Sequence, residues 1–369
     1  MPMKVLVVVG TRPEAIKMAP VVLRLRAEPG FETVVCATAQ HRDLLDSALA
    51  MFGIAPDIDL DLMRPNQTPS AVAAGVLSAF DPFLESVAPD VVLVQGDTTT
   101  VMAASLAGFH RGVRVGHVEA GLRTSNLRNP FPEEMNRRVT DLVASLHFAP
   151  TPRSAAALER EGTDAATIHV TGNTVVDALR WLAERSSDAP ADARDLVLVT
   201  SHRRESFGEP MRRSFRAIAR LARRFPATRF VFPVHPNPNV LEAARVFEGI
   251  ANVELEPPAD YARLVGWMRA ARIVLTDSGG IQEEAPTFGK PTLVLRETTE
   301  RPEGIEAGVA KLVGTDEEKI YREAERLLTD PDAYAAMSRP ANPYGDGRAA
   351  ERIVAILAGR SVEPFTPRR

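Results

Sequence analysis

Residues 271–286, ARIVLTDSGGIQEEAP, carry the reading that decides the fold. Ala271 to Thr276 is a continuous apolar run rich in branched side chains. Ser278-Gly279-Gly280 breaks that run, and a helical pattern follows until Pro286, which should kink or shorten it. The same strand-then-helix order recurs along most of the chain. In the first half the runs are VLVVVG (5–10), ETVVCAT (32–38), DVVLVQGD (90–97), VRVGHVEAG (113–121), LHFAPT (146–151) and TIHVTGN (167–173). In the second they are DLVLVTSH (195–202), TRFVFPVH (228–235), NVELEP (252–257), PTLVLRE (291–297) and AKLVGT (310–315). Unbroken apolar runs, as opposed to alternating ones, mark strands covered on both faces by helices. The order predicts an α/β protein with two doubly wound, Rossmann-like parallel sheets. A polar stretch, 184–195, reads as the linker between them.

Length agrees, since 369 residues is about 2.5 times a common domain of ~150. A net charge of −4 supplies no broad basic surface, which argues against nucleic-acid binding. The single cysteine, Cys36, forbids an intrachain disulfide and fits a reducing compartment. The amino-terminal apolar run, Val5 to Val9, is too short for a signal core or a membrane span. These features predict a soluble cytoplasmic protein.

Ligands of open α/β sheets bind beyond the carboxyl ends of the strands. After the first run, Thr11 and Glu14 fit a capping box, Pro13 suits a first helical turn, and Arg12 and Lys17 lie near that helix start. Lys17 could instead simply pair with Glu14. Asp97 follows VLVQG and either acts on a ligand or caps the next helix. His117 and Glu119, two apart, should share one face of an extended strand. A carboxylate there is costly unless satisfied, which points Glu119 towards function, while His117 reads as structural. Of Glu133 and Glu134, behind Pro132, helix-start chemistry accounts for one and does not require both.

In the second half, Ser201-His202-Arg203-Arg204-Glu205 follows a strand and suits a diphosphate or acid–base work, while His235 leaves the next strand directly and could equally be a structural histidine bonded to a loop carbonyl. Ser278, Gly279 and Gly280 bring backbone N–H groups together as a phosphate cradle does. Glu284 could accept hydrogen bonds from ribose hydroxyls. Arg301 could meet phosphate or brace Glu284. No metal-ligand spacing occurs, so the chemistry should need neither metal nor other cofactor.

Together GTRPEAIKMAP (10–20), TAQHR (38–42), VQGDTTT (94–100), GHVEAGLRT (116–124), FPEEMNRR (131–138), TGNTVVDAL (171–179), SHRRESFG (201–208), PVHPNPNV (233–240), LTDSGGIQEEAP (275–286), TTERPEG (298–304) and NPYGDGRA (342–349) resemble the bacterial non-hydrolysing UDP-N-acetylglucosamine 2-epimerases. The resemblance runs from Lys4 to about Leu357. It implies a glycosyltransferase-B-like architecture with an interdomain cleft. The domains would be 1–172, joined by a carboxyl-terminal helix at 353–369, and a UDP-binding domain at 173–352.

The implied reaction interconverts UDP-N-acetylglucosamine and UDP-N-acetylmannosamine by anti elimination of UDP to a 2-acetamidoglucal and re-addition. Asp97, Glu119, Glu133 and His202 would be catalytic. Arg12, Lys17, His235, Ser278, Gly279, Gly280, Glu284 and Arg301 would bind the UDP-sugar. Gln40, His41 and Gln67 match part of a second, allosteric nucleotide-sugar site. A homodimer and a place in polysaccharide synthesis are also implied. The competing readings are a hydrolysing relative, a glycosyltransferase of the same fold and a catalytically silent nucleotide-sugar sensor.

Overall fold

The computed structural model describes the chain apart from residues 39–41, 63, 65, 66, 125, 129, 186–194, 204, 205, 340, 341, 368 and 369, and the side chains of 42–44. Gln40 and His41, and almost all of the expected linker, lie outside the described residues. The chain divides into two compact units. Unit 1 is Met1–Ala178 with Gly345–Thr366, and unit 2 is Leu179–Tyr344.

Unit 1 is built on strands β1 (Met3–Val9), β2 (Phe31–Ala37), β3 (Ile58–Asp59), β4 (Val91–Gln95), β5 (Arg114–Val118), β6 (Leu146–Ala149) and β7 (Ile168–Val170). They form one sheet in the order β3-β2-β1-β4-β5-β6-β7, with every pairing parallel. Unit 2 holds β8 (Leu196–Thr200), β9 (Arg229–Pro233), β10 (Val253–Glu256), β11 (Ala271–Thr276), β12 (Thr292–Val294) and β13 (Ala310–Leu312). Their order is β10-β9-β8-β11-β12-β13, again wholly parallel. The fold is the α/β class read from the sequence, two doubly wound Rossmann-like sheets. β3 is the strand that the apolar pattern missed, because its two residues include Asp59 and form no run.

The cores explain the continuous apolar runs. Leu6, Val8, Val92 and Val94 pack in unit 1 with Val72, Val76, Phe80 and Leu84 from the helix Pro69–Val87. That helix is long and apolar enough to cross a bilayer by length and composition alone, yet these four side chains belong to the sheet's core. In unit 2, Phe215, Phe232 and Phe247 meet edge-on or tilted, with ring centroids 5.2–6.1 Å apart.

Each sheet has one reversal of strand order, the place where diverging loops open a crevice. In unit 1 it lies between β1 and β4, and the residues leaving it are Gly10-Thr11 and Gly96-Asp97. In unit 2 it lies between β8 and β11, with Ser201–Arg203 and Asp277–Gly280 leaving it.

Two local devices hold unit 1. Gly121 has φ +84°, and a Cβ there would sit 2.3 Å from the Ser154 carbonyl oxygen. Asp177 is buried and accepts from the backbone N–H groups of Ala349 (3.2 Å) and Ala350 (2.9 Å), so it caps the helix Ala349–Leu357 from a distant part of the chain. Burial pushes the Asp177 carboxyl up to about 7, against the pull of those N–H groups.

Gly121→Ala should lower stability by about 2 kcal/mol or more, read as a fall in Tm, because both backbone strain and overlap act together. Asp177 releases its proton near pH 4 when unfolded but only near 7 when folded. Its contribution to stability therefore falls as pH rises between those values, with a limiting slope of about 1.4 kcal/mol per pH unit. Asp177→Asn should flatten that part of a stability–pH profile obtained by denaturant titration.

Candidate active site

Unit 1 gathers its charged side chains at the ends of β4 and β5. β5 ends at Val118, and Glu119 takes φ +68°, the left-handed region that a non-glycine residue avoids. The alternation expected to put His117 and Glu119 on one face therefore stops short of Glu119. Such a conformation costs on the order of 1–3 kcal/mol and persists only where surrounding contacts impose it. Here they are visible. Glu119 Oε2 accepts from Lys17 Nζ at 2.5 Å and from Gln95 Nε2 at 2.6 Å, and the Glu119 backbone N–H donates to the Phe148 carbonyl at 3.0 Å. Lys17 is thus a partner of Glu119, and the alternative reading, a Lys17 that simply pairs with Glu14, is not what the structure has.

Glu14 instead holds the turn after β1. Its Oε2 accepts from the N–H groups of Gly10 (2.6 Å) and Thr11 (3.3 Å). Full burial pushes its carboxyl up to about 7, opposed by these donors. Arg12 is the first residue of the helix Arg12–Arg26 that this turn starts, and Lys17 lies on the same helix.

Asp97 is not the cap of the helix after β4. Thr98 is, its side chain accepting from Val101 N at 3.2 Å. Asp97 is thereby released to meet Arg137, whose Nη2 and Nε lie 2.7 and 3.0 Å from Oδ2. Asn136 Nδ2 holds the Asp97 carbonyl at 2.9 Å. The two acids opening the helix Glu133–Val143 divide clearly. Glu134 is fully buried and braces Arg137 (3.0 Å), Arg138 (3.4 Å) and the Thr124 N–H (3.1 Å). Glu133 is only half-buried, and its Oε2, shielded from solvent, has no hydrogen-bond partner among the described residues. Glu134 is the structural acid of the pair.

Unit 2 is organised by a residue that the sequence reading left without a role. Asp277 is 0% exposed and accepts from Ser201 Oγ (2.8 Å), His202 N (2.9 Å) and Arg203 N (3.0 Å). One carboxylate on β11's end thus shapes the loop that leaves β8. Gly279 lies under two guanidinium groups, since a Cβ there would be 3.3 Å from both Arg203 Nη2 and Arg301 Cζ. Arg301 Nε donates to Glu283 at 2.8 Å, so this guanidinium braces the acid next to Glu284. The Glu284 Oε1 lies 3.5 Å from where a Gly280 Cβ would stand. Ser278 N donates to Thr276 Oγ1 at 2.9 Å, which fixes the start of the glycine turn. The helix after it ends at Glu284 and tightens at Ala285–Phe288, the shortening that Pro286 predicts.

His202 and His235 stack, with centroids 5.8 Å apart and planes 20° from parallel. His235 Nδ1 accepts from Asn237 N at 3.1 Å, so a neutral His235 carries its proton on Nε2. Gln67 is occupied locally, accepting from Arg64 N (2.8 Å) and donating to the Leu62 carbonyl (3.5 Å).

The structure therefore brings together Lys17 with Glu119 in unit 1, His202 with His235 in unit 2, and Gly279 with Arg301 in unit 2. Arg137, Gln95 and Asp277 were missed as partners, whereas Arg203 stood in the cluster read as suiting a diphosphate. The signal for Arg137 lay in the sequence, because it stands three and four residues after the acids of FPEEMNRR.

Partial burial lowers the His202 pKa; Asp277 raises it, and Arg203 and His235 lower it further. The ring should therefore be neutral at pH 7 and titrate below its ordinary value. Asp277→Asn removes the one raising charge, so the His202 midpoint followed by NMR should drop further still.

The sequence profile of a protein family described as UDP-N-acetylglucosamine 2-epimerase matches residues 23–358. The UDP-N-acetylglucosamine 2-epimerase of Yersinia pestis is 51% identical, over 98% of this chain and all of that protein. That of Bacillus subtilis is 50% identical over 96% of this chain and 95% of its own. A solved UDP-GlcNAc 2-epimerase from Neisseria meningitidis bound to UDP-GlcNAc superposes with a TM-score of 0.91 at 45% identity, over 97% of this chain and all of the other. A match of that extent, on a chain whose parallel sheets place the matching motifs at their strand ends, puts this chain in the UDP-N-acetylglucosamine 2-epimerase family.

Proposed function

We propose that the chain is a non-hydrolysing UDP-N-acetylglucosamine 2-epimerase, inverting carbon 2 of the sugar in both directions. The hydrogen on carbon 2 is not next to a carbonyl carbon, so simple deprotonation is too difficult. In the elimination route a base takes that hydrogen as a proton while its bonding electrons form the carbon 1–carbon 2 double bond. The carbon 1–oxygen bond breaks, and UDP leaves with the electron pair. Re-addition of UDP to the 2-acetamidoglucal, with a proton delivered to the opposite face of carbon 2, gives UDP-N-acetylmannosamine.

The observation that carries this reading is the pair of carboxylates, Asp97 at the strand-order reversal of unit 1 and Glu119 at the end of the neighbouring β5, each fixed to a cation. Binding a dianionic diphosphate would not call for acids there. Positive charge developing on the sugar ring during elimination does. In this reading Asp97, Glu119, Glu133 and His202 share proton transfer and charge stabilisation. Arg12, His235 and the Ser278–Gly280 turn, with Arg203 and Arg301, take the diphosphate. Glu284 takes the ribose. Lys17 fixes the direction and charge of Glu119. The Neisseria meningitidis relative, solved with UDP-GlcNAc, supports the substrate.

Incubation with UDP-N-acetylglucosamine in deuterated water, followed by NMR of the sugar, tests the reading. Deuterium should enter carbon 2, and both nucleotide sugars should appear with little free sugar. Free N-acetylmannosamine as the main product would mean hydrolysis instead, and no exchange would leave a transferase or a binding protein. Asp97→Asn should keep UDP binding and lose about 10²-fold or more of the exchange rate.

A further inference from the structure

His117 stands outside the list of groups proposed to touch substrate, yet its surroundings demand an unusual state. The ring is 0% exposed. Nδ1 lies 2.5 Å from Asp141 Oδ1, and Nε2 lies 2.8 Å from the carbonyl oxygen of Gly96. A carbonyl oxygen can only accept. So can an ionised carboxylate. A neutral imidazole has one N–H, and would leave one of these contacts with two acceptors facing each other in a dry interior, where that is expensive. The alternative, a protonated Asp141, is opposed by the rest of its shell. Asp141 Oδ2 accepts from Arg123 Nη2 at 2.8 Å and from Gly121 N at 3.3 Å. Burial opposes the charge on Asp141, but His117 and Arg123 outweigh it and hold the carboxyl below its usual range. Arg123 is itself shared with Glu161 at 2.7 Å. His147, beside His117 in the strand register, turns Nε2 to the main-chain carbonyl of Asp141 at 2.9 Å, so it does not compete for that carboxylate.

We infer that His117 is a doubly donating imidazolium whose Nε2–H clamps the Gly96 carbonyl and so positions the Asp97 carboxylate.

The geometry for this is local. Gly96 has φ +84°, and its own N–H is held by the Val118 carbonyl at 3.1 Å. The next carbonyl, that of Asp97, is held by Asn136, and the carboxylate by Arg137. With the Gly96 N–H already held, His117 completes a set of four restraints on the Gly96–Asp97 link, one on that N–H, one on each carbonyl and one on the side chain. Its other nitrogen ties that link through Asp141 to the helix Glu133–Val143, which also carries Arg137. The acid and its guanidinium partner are thus referred to the same helix by separate routes. A positioning residue of this kind acts on the orientation of Asp97 and not on binding of the nucleotide. This inference rests on the proposed epimerase reading only where the catalytic readout is concerned.

The first test uses the unsubstituted full chain with ¹⁵N-labelled histidine. The His117 ring should show a proton on both nitrogens. A single protonated nitrogen would overturn the inference, whatever the enzyme does. The second test compares two variants. Gln at 117 can place its amide N–H near the position of Nε2 and keep the bond to Gly96. Asn can place its amide near Nδ1 and keep only the bond to Asp141. His117→Asn should lose at least about tenfold more kcat for carbon 2 exchange than His117→Gln, with KM within about threefold in both, since a small misplacement of a catalytic group costs rate more than binding. Equal losses in the two, or a loss carried by KM, would overturn the positioning role. If the unsubstituted protein exchanges no deuterium, the epimerase reading fails and the labelled-histidine result still decides the state of His117. If either variant does not fold, that same spectrum decides alone.

Discussion

A carboxylate taken out of water must find donors, or it is neutralised and loses its chemistry. That constraint organises both units. Glu119 is buried and held by Lys17 and Gln95, and the strain of its left-handed backbone is offset by those contacts and by the bond to Phe148. Asp277 is fully buried and held by a hydroxyl and two backbone N–H groups. Glu134 is fully buried and held by two arginines and a backbone N–H. In each case at least one donor comes from a different segment, Lys17 and Gln95 for Glu119, the 201–203 loop for Asp277 and the Thr124 N–H for Glu134, so satisfying the acid also fixes where those segments stand.

The division of labour between neighbouring acids follows from the same rule. Glu133 and Glu134 differ by one position on a helix, about 100° of rotation, which turns one into the core and leaves the other half-buried. Asp97 and Thr98 also divide, here just ahead of a helix start. Thr98 satisfies the helix start, and the longer-reaching charge beside it is left for Arg137. In unit 2, Glu283 takes Arg301 while Glu284 comes close to Gly280. Neighbouring side chains in each of these pairs thus meet different surroundings.

Unit 2 shows how a Ser-Gly-Gly turn can be set between guanidinium groups at the ends of a parallel sheet. Asp277 ties the loop after β8 to the loop after β11, and the guanidinium groups of Arg203 and of Arg301, the latter held by Glu283, lie over Gly279. Any larger residue at 279 would meet both. The stacked His202 and His235 lie on the same family of strand ends, one leaving β8 and the other β9.

What the sequence alone determined was the class of fold, the strand ends that matter and the residue types gathered there. Continuous apolar runs are dictated by burial on both faces, and that pattern is local enough to be read directly. Only β3, too short and too polar to form a run, escaped it. Tertiary structure decided the partners. Lys17 lies three residues after Glu14 but reaches Glu119, 102 residues away, because helix and sheet packing bring β5's end to the helix after β1. Asp277 and the 201–203 loop, Arg137 and Asp97, and His117 and Asp141 are likewise joined across strands and not along the chain. Hydrophobic periodicity says which face is buried. It carries no record of which donor a buried charge will meet, since that depends on how neighbouring strands are ordered in the sheet.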